Sequence, residues 1–238
     1  MRLHKFMAHA GIASRRTCED MIIQGRVSVN GRIVDSPGFK IDPENDEVRV
    51  GGKTVDLEKK VYMALHKPLG VISTMSDPFG RPTIFDLIND LKERLYPIGR
   101  LDAETDGLLI LTNDGDLAHR LAHPSFEIPK TYIADVRGVP DEKGLRILRS
   151  GVELEDGLTA PAAVEIVGRT RFGARLRLTL HEGRKHEVRR MCAEVGREVV
   201  NLRRVVFAGI ELGDLKAGNK RFLTPDEIAQ LRQLSQGR

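Results

Sequence analysis

The stretch "RVSVNGRIV", Arg26 to Val34, constrains the fold more tightly than any other segment of its length. Apolar and polar residues alternate on both sides of Asn30-Gly31. A two-residue hairpin turn needs positive φ at both central positions, which Asn and Gly adopt at little steric cost. The chain is therefore predicted to double back here as an antiparallel hairpin. Upstream, Leu3, Phe6, Met7 and Ala10 recur at helical spacing and Gly11 stops that helix. Ser14 has N-cap chemistry for a second helix, which carries Cys18, Met21 and Ile22 inward and ends near Gly25. "DEVRVGGKTV" reads as a further strand and turn, and the charged run "DLEKK", Asp56 to Lys60, as a linker.

Past the linker the texture changes. "VYMALHKPLGVIST" is a strand broken at Pro68 and Gly70, "TIFDLINDLKERL" a helix, and "GLLILTND" a buried strand closing in a turn. "GDLAHRLAHP" is a short helix stopped by Pro124. "KTYIADVRG" and "ARLRLTLHEG" alternate as half-buried strands, with a helix near "DEKGLRILRSG" between them. "HEVRRMCAEVG" is a helix ended by Gly196, and "TPDEIAQLRQLSQ" one with Thr224 as cap and Pro225 at its first position. Without regular βαβ alternation this is an α+β chain rather than a doubly wound one.

Charge narrows the partners. The 238 residues carry a net charge of +4. The first 32 hold Arg2, Lys5, Arg15, Arg16, Arg26 and Arg32 against Glu19 and Asp20 alone. A basic N-terminal module suits an anionic partner. Cys18 and Cys192 are too few for a disulfide framework and lack the clustered spacing of a zinc site, so a reducing compartment is expected. No apolar run reaches the ~20 residues of a membrane span, and no signal-peptide core is seen; a cytoplasmic location is expected. His119 and His123 stand four apart on a helix but lack a third ligand, so no metal is expected, and no phosphate loop or dinucleotide fingerprint implies a cofactor.

In "ASRRTCEDM" two arginines follow a capping serine where a helix presents free N–H groups, an arrangement suited to phosphate. With "RLHKFMAHAGIASRR" and "GRVSVNG", residues 1 to about 55 resemble the S4 RNA-binding domain. That resemblance implies RNA contacts at Arg2, Lys5, Ser14, Arg15, Arg16 and Arg26.

The second candidate site is "GRLDAETDGLLILTNDG", Gly99 to Gly115. A lone loop aspartate usually caps a turn. Asp102, with Arg100 nearby and the basic stretch "HEGRKHEVRRM" farther along, is also placed to act as an ionised carboxylate at an electron-poor carbon. Together with "LHKPLGVISTMSDPFGRPTIFDL" and "EIPKTYIADVRG", these blocks resemble the RsuA-like pseudouridine synthases, nearest their large-subunit (RluB-like) branch. The resemblance spans essentially the whole chain.

It implies an S4-like domain at residues 1–58, followed at 61–238 by a mixed, largely antiparallel sheet with flanking helices and a central cleft. It also implies isomerisation of a uridine flipped out of ribosomal RNA, with 23S rRNA as the expected substrate, free or within an assembly intermediate. No cofactor is needed, and a monomer is expected. Asp102 would be the catalytic carboxylate, Tyr132 the aromatic stacked on the base, and Arg189 the arginine paired with Asp102. Lys130 would neutralise nearby negative charge, Leu202 would line the base pocket, and Arg100 would fill the space left by the flipped base. Arg190 would meet RNA or solvent. Glu187 stands where many relatives carry Gln, and Cys192 where Phe is frequent. The alternatives are the same reaction on 16S rRNA, a non-catalytic S4-type assembly factor, and a glycosidic hydrolase; the last normally needs two catalytic carboxylates.

Overall fold

The structure is a computed structural model that describes residues 1–236. It divides into two compact units. The first holds Met1–Val61 with Lys92–Leu95 and Asn113–Gly115, and the second the remainder.

In the first unit, helices α1 (Leu3–His9) and α2 (Arg15–Ile23) precede strands β1 (Val27–Val29), β2 (Arg32–Val34), β3 (Val48–Val50) and β4 (Lys53–Thr54). The strands form an antiparallel sheet in the order β2-β1-β3-β4. The Asn30-Gly31 turn takes the expected form, with φ of 50° and 77°. Asn30 also bridges to the next strand: its amide donates to Asp46 at 2.7 Å, and its oxygen accepts from the Glu47 N–H at 2.9 Å. Ser14 caps α2 by accepting from the Thr17 N–H at 3.1 Å. Leu3, Phe6, Met7, Cys18 and Ile22 of the helices pack against Val27, Val29 and Val48 of the sheet as one core.

The second unit contains, in chain order, β5 (Tyr62–Lys67), β6 (Tyr96–Pro97), β7 (Asp106–Thr112), α3 (Gly115–Ala122) and β8 (Lys130–Arg137). Next come α4 (Glu142–Ser150), the short β9 (Glu153–Leu154) and β10 (Gly157–Leu158), β11 (Ala163–Thr170), β12 (Gly173–Leu180) and α5 (Glu187–Glu194). It ends with β13 (Val199–Phe207), β14 (Ile210–Glu211), β15 (Lys220–Phe222) and α6 (Pro225–Leu234). The main sheet runs β11-β12-β8-β13-β7-β5-β15. Each adjacent pair is antiparallel except β13 with β7. The α+β class and the mixed sheet are thus as expected from the sequence.

Two apolar clusters flank the sheet. One joins Ala134, Leu176 and Leu178 to Leu145, Leu148, Val188 and Met191; the other joins Ala64, Leu108 and Ile110 to Leu117, Leu121, Ile210 and Leu231. At the parallel junction Gly107 has φ 113°, and a Cβ there would overlap the carbonyl oxygen of Arg204. Only glycine lets β7 approach β13 this closely.

Two expectations fail. "TIFDLINDLKERL" forms only a 3-10 turn, Ile84–Leu87. Asp86 caps it through the Thr83 N–H at 2.7 Å, and Lys220, far along the chain, donates to the Leu87 carbonyl at 2.9 Å. That carbonyl would have accepted the next helical N–H; Leu91 instead bonds Ile88 at 3.1 Å, and the helix does not propagate. The other failure is that the sequence reading passed over β11, β13 and β15 of the main sheet, although β13 lies between β8 and β7.

Candidate active site

Asp102 lies on the loop between β6 and β7, and that loop is held by its backbone. Ser73 clamps Leu101 from both sides: its hydroxyl donates to the Leu101 carbonyl at 2.7 Å and accepts the Leu101 N–H at 3.0 Å. The Ala103 carbonyl accepts from Gly70 N–H at 2.8 Å, and the Asp102 carbonyl from Thr105 N–H at 3.0 Å. Arg189 grips the Glu104 carbonyl through Nη2 at 2.8 Å. Four successive residues are thereby fixed, while the Asp102 side chain stays 43% exposed. His186 Nε2 stands 3.6 Å from its carboxylate.

The "HKPLG" stretch supports this loop from behind. Lys67 is fully buried, and its ammonium donates to the carbonyls of Pro68 at 3.0 Å and Val71 at 2.7 Å, closing the turn that carries Gly70. Burial pulls its pKa to about 8, a shift moderated by attraction to Asp106 and Asp102. Asp106 is engaged by Arg203 at 2.8 Å, and His66 Nε2 stands 3.6 Å away.

Asp102 opens onto a cavity of about 660 Å3 within the second unit. Arg100, Lys130, Tyr132 and Leu202 line it, as do His186, Glu187 and Arg204. Its floor is built by β8 and β13, where Tyr132 and Arg204 are cross-strand partners. Arg204 is 2% exposed and donates through Nε to the Leu108 carbonyl at 2.8 Å. Its guanidinium lies 5.0 Å from the Phe207 ring centroid. The Lys130 ammonium donates to the Ile128 carbonyl at 2.7 Å, and its pKa falls to about 8 through burial and then repulsion from Arg204. Glu187 accepts from the Arg184 N–H at 3.1 Å; burial and the neighbouring Glu182 carboxyl push its pKa up to about 7.

Five of the six residues expected at this site, Arg100, Asp102, Lys130, Tyr132 and Leu202, therefore meet in one cavity. Arg189 does not line it. It is not paired with the Asp102 carboxylate, as was expected, but bridges the carbonyls of Glu104 and Val199, the latter at 2.9 Å. Arg190 is likewise not free for solvent or RNA: it forms a two-pronged pair with Asp156 at 2.8 and 3.0 Å. The sequence reading missed Lys67, His186 and Arg204. For Arg204 a signal was present, since alternation along β13 puts it on the inward parity of Leu202.

In the first unit the expected RNA contacts divide. Arg2 sits at the start of α1 without a side-chain capping bond, and Arg15 and Arg16 open α2, all three exposed. Arg15 Nη2 donates to Nε2 of buried His4 at 3.1 Å, which places the imidazole proton on Nδ1, 3.1 Å from the Pro37 carbonyl. Lys5 is half-buried, and the Ser14 hydroxyl is occupied as the α2 cap. Arg26 follows the other end of α2, about 15 Å away along the helix axis.

These features have counterparts in known proteins. The model of a family described as RNA pseudouridylate synthase matches residues 61–194, and that of the S4 domain residues 1–48. The Bacillus subtilis ribosomal large subunit pseudouridine synthase B is 45% identical over 236 residues, covering 98% of this chain and 96% of its own. An uncharacterized RNA pseudouridine synthase of Aquifex aeolicus is 46% identical over 232 residues, covering 97% and 93%. A crystal structure of a pseudouridylate synthase superposes with a TM-score of 0.69 at 33% identity, covering 97% of this chain and 99% of that one. With four of the expected site residues gathered around Asp102, and with matches of this length, the chain belongs to the RNA pseudouridylate synthase family and carries an S4 domain.

Proposed function

We propose that the protein isomerises a uridine of large-subunit ribosomal RNA to pseudouridine, with Asp102 as the catalytic carboxylate. The observation that carries this reading is the placement of Asp102. Its main chain is fixed on both sides, while its carboxylate faces a cavity whose size suits a flipped nucleobase. The large-subunit substrate is supported by the Bacillus relative, which carries that substrate in its name. The reaction breaks the N1–C1′ bond, turns the base, and forms C5–C1′; a proton leaves C5 and one is gained at N1.

Within this reading the other residues have distinct tasks. Leu202 and Tyr132 sandwich or edge the base and exclude water, with Tyr132 available to take the C5 proton. Arg100, exposed beside Asp102, fills the gap that the flipped uridine leaves. Lys130 offsets negative charge inside the cavity. Arg189 acts on the loop rather than on the carboxylate: by holding Glu104 it sets the direction of Asp102. Arg2, Lys5, Arg15, Arg16 and Arg26 supply charge toward phosphates, so RNA affinity falls with added salt. Ser14 contributes through the helix start that it caps. The chain works as a monomer in the cytoplasm, without a cofactor, on free 23S rRNA or an assembly intermediate, and residues 1–58 and 61–238 act as its binding and catalytic domains.

The test is incubation with unmodified large-subunit and small-subunit rRNA, followed by digestion to nucleosides. Pseudouridine formed in the large-subunit RNA alone is the expected result. Pseudouridine in the small-subunit RNA alone would overturn the substrate, and free uracil without pseudouridine would overturn the reaction.

A further inference from the structure

Arg204 is a buried cation to which the reaction as described gives no task. Its Nε is committed to the Leu108 carbonyl, and Tyr132 is its cross-strand partner on β8. Its Nη2 is buried without a hydrogen-bond partner. Among the described residues no carboxylate forms an ion pair with it. The charged groups around it make matters worse: Lys130 and Lys67 both feel its repulsion. Two of these cations, Arg204 and Lys130, line the cavity. A buried charge without a counter-charge is strongly unfavourable, so a fold that keeps one is organised for an anion that arrives later.

The reaction supplies such an anion. Resting on the uridine-isomerisation reading above, we propose that Arg204, with Lys130, is the counter-charge for the negative charge that forms on the uracil ring as its bond to ribose breaks. When N1–C1′ cleaves, the electron pair stays on the base and spreads over N1, C5 and the two carbonyl oxygens. The deficit at C1′ faces the Asp102 carboxylate. The pair at C5 then forms the C5–C1′ bond, the C5 proton departs to solvent through Tyr132, and N1 takes a proton from solvent. Arg204 lines this cavity beside Tyr132, and its buried Nη2, which has no hydrogen-bond partner, is the donor left for a uracil carbonyl. In a cavity with little water, such a fixed cation acts far more strongly than it would in bulk solvent. Arg204 is thus an electrostatic residue, and the cavity is polarised: carboxylate toward the sugar, cations toward the base.

The experiment compares large-subunit rRNA transcribed with uridine or with 5-fluorouridine. Fluorine at C5 stabilises the uracil anion, so bond cleavage depends less on the protein's cations. Single-turnover loss of the N-linked nucleoside at the target site is read for the wild type, Arg204→Met and Arg204→Lys. Arg204→Met should lose at least about a hundredfold on uridine RNA, the scale of removing one preorganised donor. It should lose at least tenfold less on 5-fluorouridine RNA, with RNA affinity unchanged, while Arg204→Lys retains most of the rate. An equal loss on both RNAs would overturn the proposal, because a merely structural defect does not sense the leaving base. Should Arg204→Met fail to fold, Arg204→Gln, which keeps a polar side chain and removes the charge, gives the same reading. If the wild type acts on neither RNA, the functional reading itself falls; if it acts on both with a flat ratio, only this proposal does.

Discussion

The rim and the floor of the cavity are built on opposite plans. The rim, Gly99 to Thr105, is a loop whose carboxylate is partly solvated and whose backbone is clamped by Ser73, Gly70 and Arg189. The floor, β8 and β13, is regular strand whose polar groups are buried and charged, with Arg204 in the ladder itself. A loop is inexpensive to reshape but must be tied down to aim a side chain. A strand aims its side chains through the ladder but forces their charge into the interior. The two plans predict different failures: disturbing the rim should misdirect chemistry with little loss of fold, and disturbing the floor should endanger both.

The largest expected effect lies where the plans meet. Gly107→Ala would place a Cβ against the Arg204 main chain in a backbone conformation that side chains rarely adopt. A loss of about 3 kcal/mol or more is expected, read as a lower urea midpoint, along with loss of RNA isomerisation. A variant as stable as the wild type would show that the parallel junction is looser than described.

Ser73→Ala tests the rim alone. It leaves the Leu101 N–H and C=O without their buried partner, at a cost of about 1–3 kcal/mol. The fold survives, and single-turnover kcat should fall about tenfold or more with RNA affinity unchanged. An unaltered kcat would mean that Asp102 does not depend on this clamp for its aim.

The smallest effect separates wall from chemistry. Glu187, facing Glu182, Arg184, Lys130 and Arg190, titrates near 7 instead of the ordinary 4.5. Its carboxyl binds a proton more tightly when folded, so that stability is complete below about pH 4.5 and is lost as the pH rises through 7. Glu187→Gln cannot ionise and escapes that loss. Its melting temperature should gain on the wild type between pH 5 and pH 8, by a few degrees for about 1 kcal/mol. A constant gap across that range would contradict the buried proton.

Local chemistry made much of the fold legible. The Asn30-Gly31 hairpin, the Ser14 cap, the buried β7 and the Thr224-Pro225 start of α6 all depend on neighbours in sequence. What depends on distant partners was not visible. The helix expected after Thr83 is cut short by Lys220, from the other end of the unit. Nor did β13 stand out, because its pairing with β8 and β7 joins segments far apart in the chain.

The site shows the same division. Motifs identified Asp102, Tyr132, Lys130 and Leu202, and the structure gathers them. They misjudged Arg189, because which oxygen a long guanidinium reaches is settled only by the fold: here a main-chain carbonyl two loop positions away. His186 escaped notice because it reaches Asp102 from a left-handed backbone conformation, φ 51°, just before α5. Nothing in the spacing of "RKHEV" announces that turn.

The central claim, that Asp102 carries out the isomerisation, is tested most directly by tritium release from large-subunit rRNA labelled at C5 of uridine, with wild type and Asp102→Asn side by side. The substitution preserves shape and removes the charge. Release by the wild type with none from the variant, at equal RNA affinity, is the predicted result; equal release from both would show that the carboxylate at the rim is not the one that performs the chemistry.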